Sequence, residues 1–155
     1  AVSGETFPYI PGLLAFREAP AVIKAFGKLG SRPDLLIVDG HGIAHPRGVG
    51  IASHLGVLID IPAVGVAKKR LYGEYQDPGV ASGCRSDLKC RDGNILGAVL
   101  RTRTSVKPVF VSVGHRIDLE KAVEVVTVCS RGYRIPEPTR QADKYVAEIK
   151  RSVLL

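Results

Sequence analysis

Methionine does not occur in this chain of 155 residues, and cysteine occurs only three times. The three, Cys84, Cys90 and Cys129, are odd in number and form no Cys-x-x-Cys pair. That argues against a disulfide framework and a zinc site, and a reducing compartment is expected. No apolar run reaches the length of a bilayer-spanning helix, and the N-terminus lacks the basic-then-apolar order of a secretory signal. Repeats and low-complexity tracts are missing too. The simplest expectation is a soluble, cytoplasmic monomer with no membrane partner. The absence of methionine, with Ala1 in front, fits removal of a start methionine or a natural start further upstream.

What is present suits one globular domain over residues 1–155, with 45% apolar residues and a formal net charge of +7. An excess of Lys and Arg suits a polyanionic partner, because such side chains bind phosphates and release condensed counterions. A solvated basic surface is the plainer alternative.

The stretch "FPYIPG" holds two prolines around an aromatic and reads as a stiff loop. Pro20 suits a first helical turn, with Val22, Ile23, Phe26 and Leu29 following at helical spacing and Gly30 as the stop. "LLIVD" is a short apolar run of the kind found in a parallel strand covered on both faces. The spacing predicts a second helix from near Gly50 to Ile59, although Gly48, Gly50 and Gly56 are poor helix formers, so a close backbone approach is expected there. "PAVGVA" reads as a second buried strand, and residues 77–94 as loop. "NILGAVLRTR" and "KPVFVSVG" predict a hairpin joined at residues 104–107. Asp118 is placed to cap a helix with Leu119, Val123 and Val126 inside. A last helix has Pro138 near its start and Ala142, Val146 and Ile149 on one face. The class is α/β with a mixed sheet.

In open α/β sheets the functional crevice lies beyond the carboxyl ends of the parallel strands. Asp39, at the end of "LLIVD", is placed to hold a hard divalent cation, or more simply to cap the next turn. Lys68 leaves the "AVGVA" strand at the same edge, where it can steady a scissile phosphate or merely face solvent. Glu18 reads as a first-turn helix acid, and Asp143 as the partner of Arg140 three residues before it. His41 and His45 flank glycines and Pro46 in a loop, which points to a structural or phosphate-facing role rather than a zinc helix. His54 and His115 read as ordinary surface or core residues.

Four blocks, "PYIPGLLAFRE", "PDLLIVDGHGIAHPRGVGIASHLG", "IPAVGVAKKRLYG" and "YRIPEPTRQAD", resemble the endonuclease V family in the family's order, covering nearly the whole chain from about Phe7. The resemblance implies a ribonuclease H-like mixed sheet flanked by helices. It implies a nuclease using Mg²⁺, with Mn²⁺ as a substitute, and acting on inosine-containing DNA, or on RNA in some members. Cleavage would fall at the second phosphodiester bond 3′ to the deaminated base. By resemblance Asp39 and Glu18 are metal-binding, and Glu18, Asp39, Lys68 and Asp143 are catalytic. Pro8, Tyr9, Ile10 and Pro11 form a wedge that fills the gap left by a flipped-out base. Leu14, Gly40, Gly50, Ile51 and Gly65 line a base pocket, with His45 close to the site.

The family places its first metal-binding aspartate on an early strand before the wedge. The seven residues "AVSGETF" hold no aspartate, so the resemblance implies a chain lacking the family's N-terminal strands. Two other readings therefore stand beside the nuclease. One is a non-catalytic nucleic-acid-binding remnant. The other is a nucleotide-binding α/β module, which explains neither the wedge nor Lys68.

Overall fold

Two short parallel strands and the helix between them position everything that follows. The computed structural model describes Pro8, Ile10 and residues 14–153. Its elements are α1 (Leu14–Phe26), β1 (Leu36–Val38), α2 (Ile51–Ile59), β2 (Ala63–Ala67), β3 (Arg85–Lys89), β4 (Ile95–Leu100), β5 (Val109–His115), α3 (Leu119–Ser130) and α4 (Glu137–Val153). They build a five-stranded sheet in the order β1-β2-β5-β4-β3. β1 pairs with β2 in parallel, and the other neighbours are antiparallel.

Strand alternation sends successive side chains to opposite faces. Val64 and Val66 of β2 join Leu100, Val109 and Val111 under Ala122, Val123 and Val126 of α3. On the opposite face α2 lies over the sheet, and its Ile51 and Leu55 meet Ala15 and Ala19 of α1. Every residue of β2 is buried, as its "AVGVA" composition predicts. The N-cap of α3 is Asp118, whose side chain accepts the Lys121 N–H, also as predicted. Among the described residues no helix is long and apolar enough to cross a membrane. The three cysteines are free thiols.

Three expectations change. Pro20 lies inside α1 rather than in its first turn, and the helix ends at Phe26, not Gly30. α1 docks through the small faces of Ala15 and Ala19, which leaves Val22, Ile23 and Leu29 exposed. Residues 85–89, read as loop, form β3. Of its five residues only Leu88 is buried, so the sequence offers no apolar alternation to find. On α4 the predicted inward face is open: residues 141–150 are all exposed, Val146 and Ile149 included.

β1 stands at the sheet edge, and among the described residues its outer side carries no strand. Its three residues are only half-buried.

The loop that leaves β1 passes against β2 and β5 at backbone distance. A Cβ on Gly65 would lie 2.5 Å from the Gly42 nitrogen and 2.6 Å from the Gly40 oxygen. One on Gly42 would strike the Val113 carbonyl, and one on Gly50 the His41 carbonyl. The obstacles are main chain, which cannot swing aside. Gly65→Ala and Gly42→Ala are therefore each expected to cost at least about 1–3 kcal/mol of stability. Gly30→Ala meets nothing within 4 Å and should stay within about 0.5 kcal/mol of the parent. Chemical denaturation of the three variants checks the contrast.

Candidate functional site

The parallel pairing of β1 and β2 puts Asp39 and Lys68 side by side, each the first residue past its strand. Lys68 Nζ lies 2.6 Å from Asp39 Oδ2 and 3.3 Å from Asp143 Oδ2. Asp143 comes from α4, and Arg140, its expected partner, pairs instead with Glu137. One ammonium thus bridges carboxylates that are 104 positions apart in sequence (143 minus 39). The hydrogen bond that Lys68 donates to Asp39 is the main cause that raises the Lys68 pKa above its ordinary 10.5, with Asp143 adding to it. All three side chains are more than a third exposed, so solvent screens the pairs and they contribute little to stability.

Two carboxylate oxygens within reach of one cationic nitrogen fit a divalent cation of the magnesium type. Such an ion takes one or two carboxylates and fills its remaining positions with water and substrate phosphate. Among the described residues no group of three His, Cys, Asp or Glu side chains converges to hold a metal. Glu18 lies on the exposed side of α1, so the structure does not gather it with Asp39 and Asp143 into such a group.

Residues 40–50 wrap the end of β1 and lead into α2. His41 Nε2 donates to the Lys69 carbonyl at 3.1 Å, which steadies the chain just past Lys68. Its Nδ1 is buried and has no partner among the described residues, and neither has Ser53 Oγ in the first turn of α2. Burial lowers the His41 pKa below its ordinary value, against the hydrogen bond to the Lys69 carbonyl, which raises it. Gly40, Gly50, Ile51 and Gly65 meet in this corner: a Cβ on Gly40 would lie 2.5 Å from Ile51 Cγ2. The glycines thus serve close packing of the loop on β2 and α2.

His45 is buried and its Nδ1 accepts the Arg47 N–H at 3.2 Å. Of the wedge, Pro8 and Ile10 are exposed, while Tyr9 and Pro11 lie outside the described residues. Leu14 begins α1. Arg134, which the sequence reading passes over, donates to the Lys68 carbonyl at 2.7 Å. Its only signal in the sequence is its place in "YRIPEP", which says nothing of its target.

A family model described as Endonuclease V matches residues 1–144. The chain belongs to the endonuclease V family. It is 57% identical over 140 residues to an Endonuclease V of Gloeobacter violaceus, covering 90% of this chain and 56% of that one. The crystal structure of an Endonuclease V from Streptomyces avermitilis matches with a TM-score of 0.90 at 47% identity, over 96% of this chain and 65% of the other. An Endonuclease V of Ciona intestinalis, solved with a 24mer DNA containing an inosine followed by a ribo-adenosine, matches with a TM-score of 0.83 at 31% identity, over 97% and 71%. The chain spans little more than half the length of its Gloeobacter relative. The mixed sheet flanked by helices is the fold of these endonuclease V structures.

His45 generates a pH test. Burial is the main cause that holds its pKa below the ordinary 6.5, and Arg47 and His54 push the same way. The folded chain therefore takes up this proton less readily than the unfolded chain. The stability involved is fully present above about pH 6.5 and is lost as pH falls toward the depressed value. The melting temperature should drop between about pH 7 and about pH 5, and His45→Asn should flatten that drop. An unchanged slope would remove His45 as a source.

Proposed function

We propose that this chain carries the cation site and base corner of a nuclease acting on inosine-containing nucleic acid. The observation that carries the reading is the convergence of Asp39 and Asp143 on Lys68 at the carboxyl edge of the parallel strands. The family's DNA-bound relative supports the substrate class.

In this reading Asp39 and Asp143 would hold a divalent cation, Mg²⁺ or Mn²⁺, while Glu18, metal-binding and catalytic by resemblance, stands on the exposed side of α1 and is not gathered with them. When bound, the ion acts as a Lewis acid on a phosphoryl oxygen and makes coordinated water a stronger nucleophile. Lys68 supplies positive charge that stabilises the phosphate as charge builds on it. The loop of residues 40–50 and Ile51 meet the extruded base, with Leu14 and Gly65 beside it and His45, within the loop, close to the site. The wedge of residues 8–11 fills the gap in the duplex, and its prolines limit the entropy lost on insertion. Extrusion costs a few kcal/mol, least for a poorly paired base. Hydrolysis falls at the second phosphodiester bond 3′ to the lesion and leaves a 3′-hydroxyl and a 5′-phosphate. Inosine in RNA is the second substrate reading, favoured by the ribo-adenosine after the inosine in the Ciona complex.

The deciding experiment is cleavage of an inosine-containing duplex by the purified chain with and without Mg²⁺. Binding without metal-dependent cleavage would instead support a nucleic-acid-binding remnant, and neither binding nor cleavage would sink the proposal. Asp39→Asn should abolish cleavage while inosine binding persists. Lys68→Met should lose about 10²-fold in cleavage yet bind Mn²⁺ at least as tightly as the parent, because it vacates the space between the carboxylates. Cleavage at the parental rate by either variant would contradict its assigned role.

The wedge is tested separately. Base–aromatic stacking is worth about 1–3 kcal/mol, so Tyr9→Ala should weaken inosine duplex binding roughly tenfold or more, with a smaller loss on single strands. Equal losses on both would make Tyr9 a packing residue.

A further inference from the structure

Asp143 reaches the site from a helix whose body is not held by burial, since residues 141–150 are all exposed. What fixes α4 lies at its root. Pro136 is fully buried, Thr139 is buried, and Ile135 packs on the core beneath α3. Between core and helix root stands Arg134. Its guanidinium donates from Nε to the Lys107 carbonyl at 2.9 Å, and from Nη2 to the Lys68 carbonyl at 2.7 Å and the Pro108 carbonyl at 3.0 Å. Its own carbonyl accepts from Thr102 Oγ1 at 2.7 Å. One side chain thereby joins the end of β2, the chain entering β5 and the lead-in to α4.

We propose that Arg134 is the positioning residue of the site: it ties the root of α4 to the end of β2 and so sets Asp143 against Lys68. The argument rests on the reading of Asp39, Lys68 and Asp143 as a cation site. The two ends of the Lys68–Asp143 pair belong to the two segments that Arg134 joins. His41 holds the next carbonyl, that of Lys69, so the main chain carrying Lys68 is gripped from both sides. The exposed ion pair cannot itself supply this order, because solvent weakens it. The grip needs a planar fork with several donors at fixed angles, which a lysine ammonium does not provide. Arg134 touches no reacting group and acts only through Lys68 and α4.

The test uses the full chain and Mn²⁺ alone, with affinity read from the spin-resonance signal of free Mn²⁺. Arg134→Lys and Arg134→Ala should each weaken Mn²⁺ binding about tenfold or more, the scale seen when groups supporting metal ligands are lost. Millimolar guanidinium should restore part of the affinity to Arg134→Ala. Amide exchange should speed up at residues 137–146 and stay unchanged in β3 and β4. Arg32 is the control for a generic staple: its Nη2 also donates to two main-chain carbonyls, Ile59 and Asp60, elsewhere in the fold. Arg32→Ala should leave Mn²⁺ affinity unchanged. If the alanine variant at 134 does not fold, the lysine variant decides. Parental Mn²⁺ affinity in Arg134→Lys, beside a weakened Asp143→Asn, would overturn the positioning role and leave the site reading standing. Unchanged affinity in Asp143→Asn would remove the site reading, and the positioning role with it.

Discussion

Because β1 and β2 run parallel and in register, their carboxyl ends emerge on one edge, and Asp39 stands beside Lys68 before any side chain packs. Parallel strands need a crossover, which α2 provides. The crossover in turn needs the loop of residues 40–50 to press against β2, and only glycine at 42, 50 and 65 leaves room for main chain to meet main chain there. The pairing of Asp39 with Lys68 and the backbone crowding thus arise from one packing decision. Gly50 serves as the N-cap of α2, while Gly56 inside the helix makes room for Ala63 and His115 instead.

The electrostatics suit exchange rather than stability. A buried lysine between two aspartates would be a costly structural lock. Here all three groups keep contact with water, so the ammonium can yield its place to another cation without a large desolvation penalty. Behind these three groups, hydrogen bonds to main chain hold the strand end: His41 on the Lys69 carbonyl and the Arg134 guanidinium fork on the Lys68 carbonyl. Position is set by hydrogen bonds to main chain, and the charges themselves stay open to solvent.

The sequence shows one half of this plainly. Apolar runs ending on Asp39 and Lys68 announce strands, although only β2 is buried throughout and β1, expected to be covered on both faces, is half-buried; Asp118 announces its helix because a capping oxygen leaves a local signature. Asp143 is legible only through family resemblance, since its partner lies 75 residues away (143 minus 68) and no spacing rule links them. β3 is silent because an edge strand with a single buried leucine shows no alternation. α1 is misread because alanines, not the larger apolar residues, make its contact, and its interior proline mimics a start. Arg134 is invisible because its targets are carbonyls, which every residue carries.

Among the described residues the outer side of β1 carries no strand, and this bears on how they behave in company. An unpaired strand edge is a template for any extended chain, including another copy of this one. The edge is only three residues long, and a net charge of +7 pushes copies apart, so crowding alone is a weak drive. A polyanion changes that balance. It is the partner the charge attracts, and by neutralising the charge it removes the repulsion that keeps the edges separate. Charge and association are therefore linked for these residues: a polyanion near charge balance should cloud a solution that the bare, charged chain at low salt leaves clear.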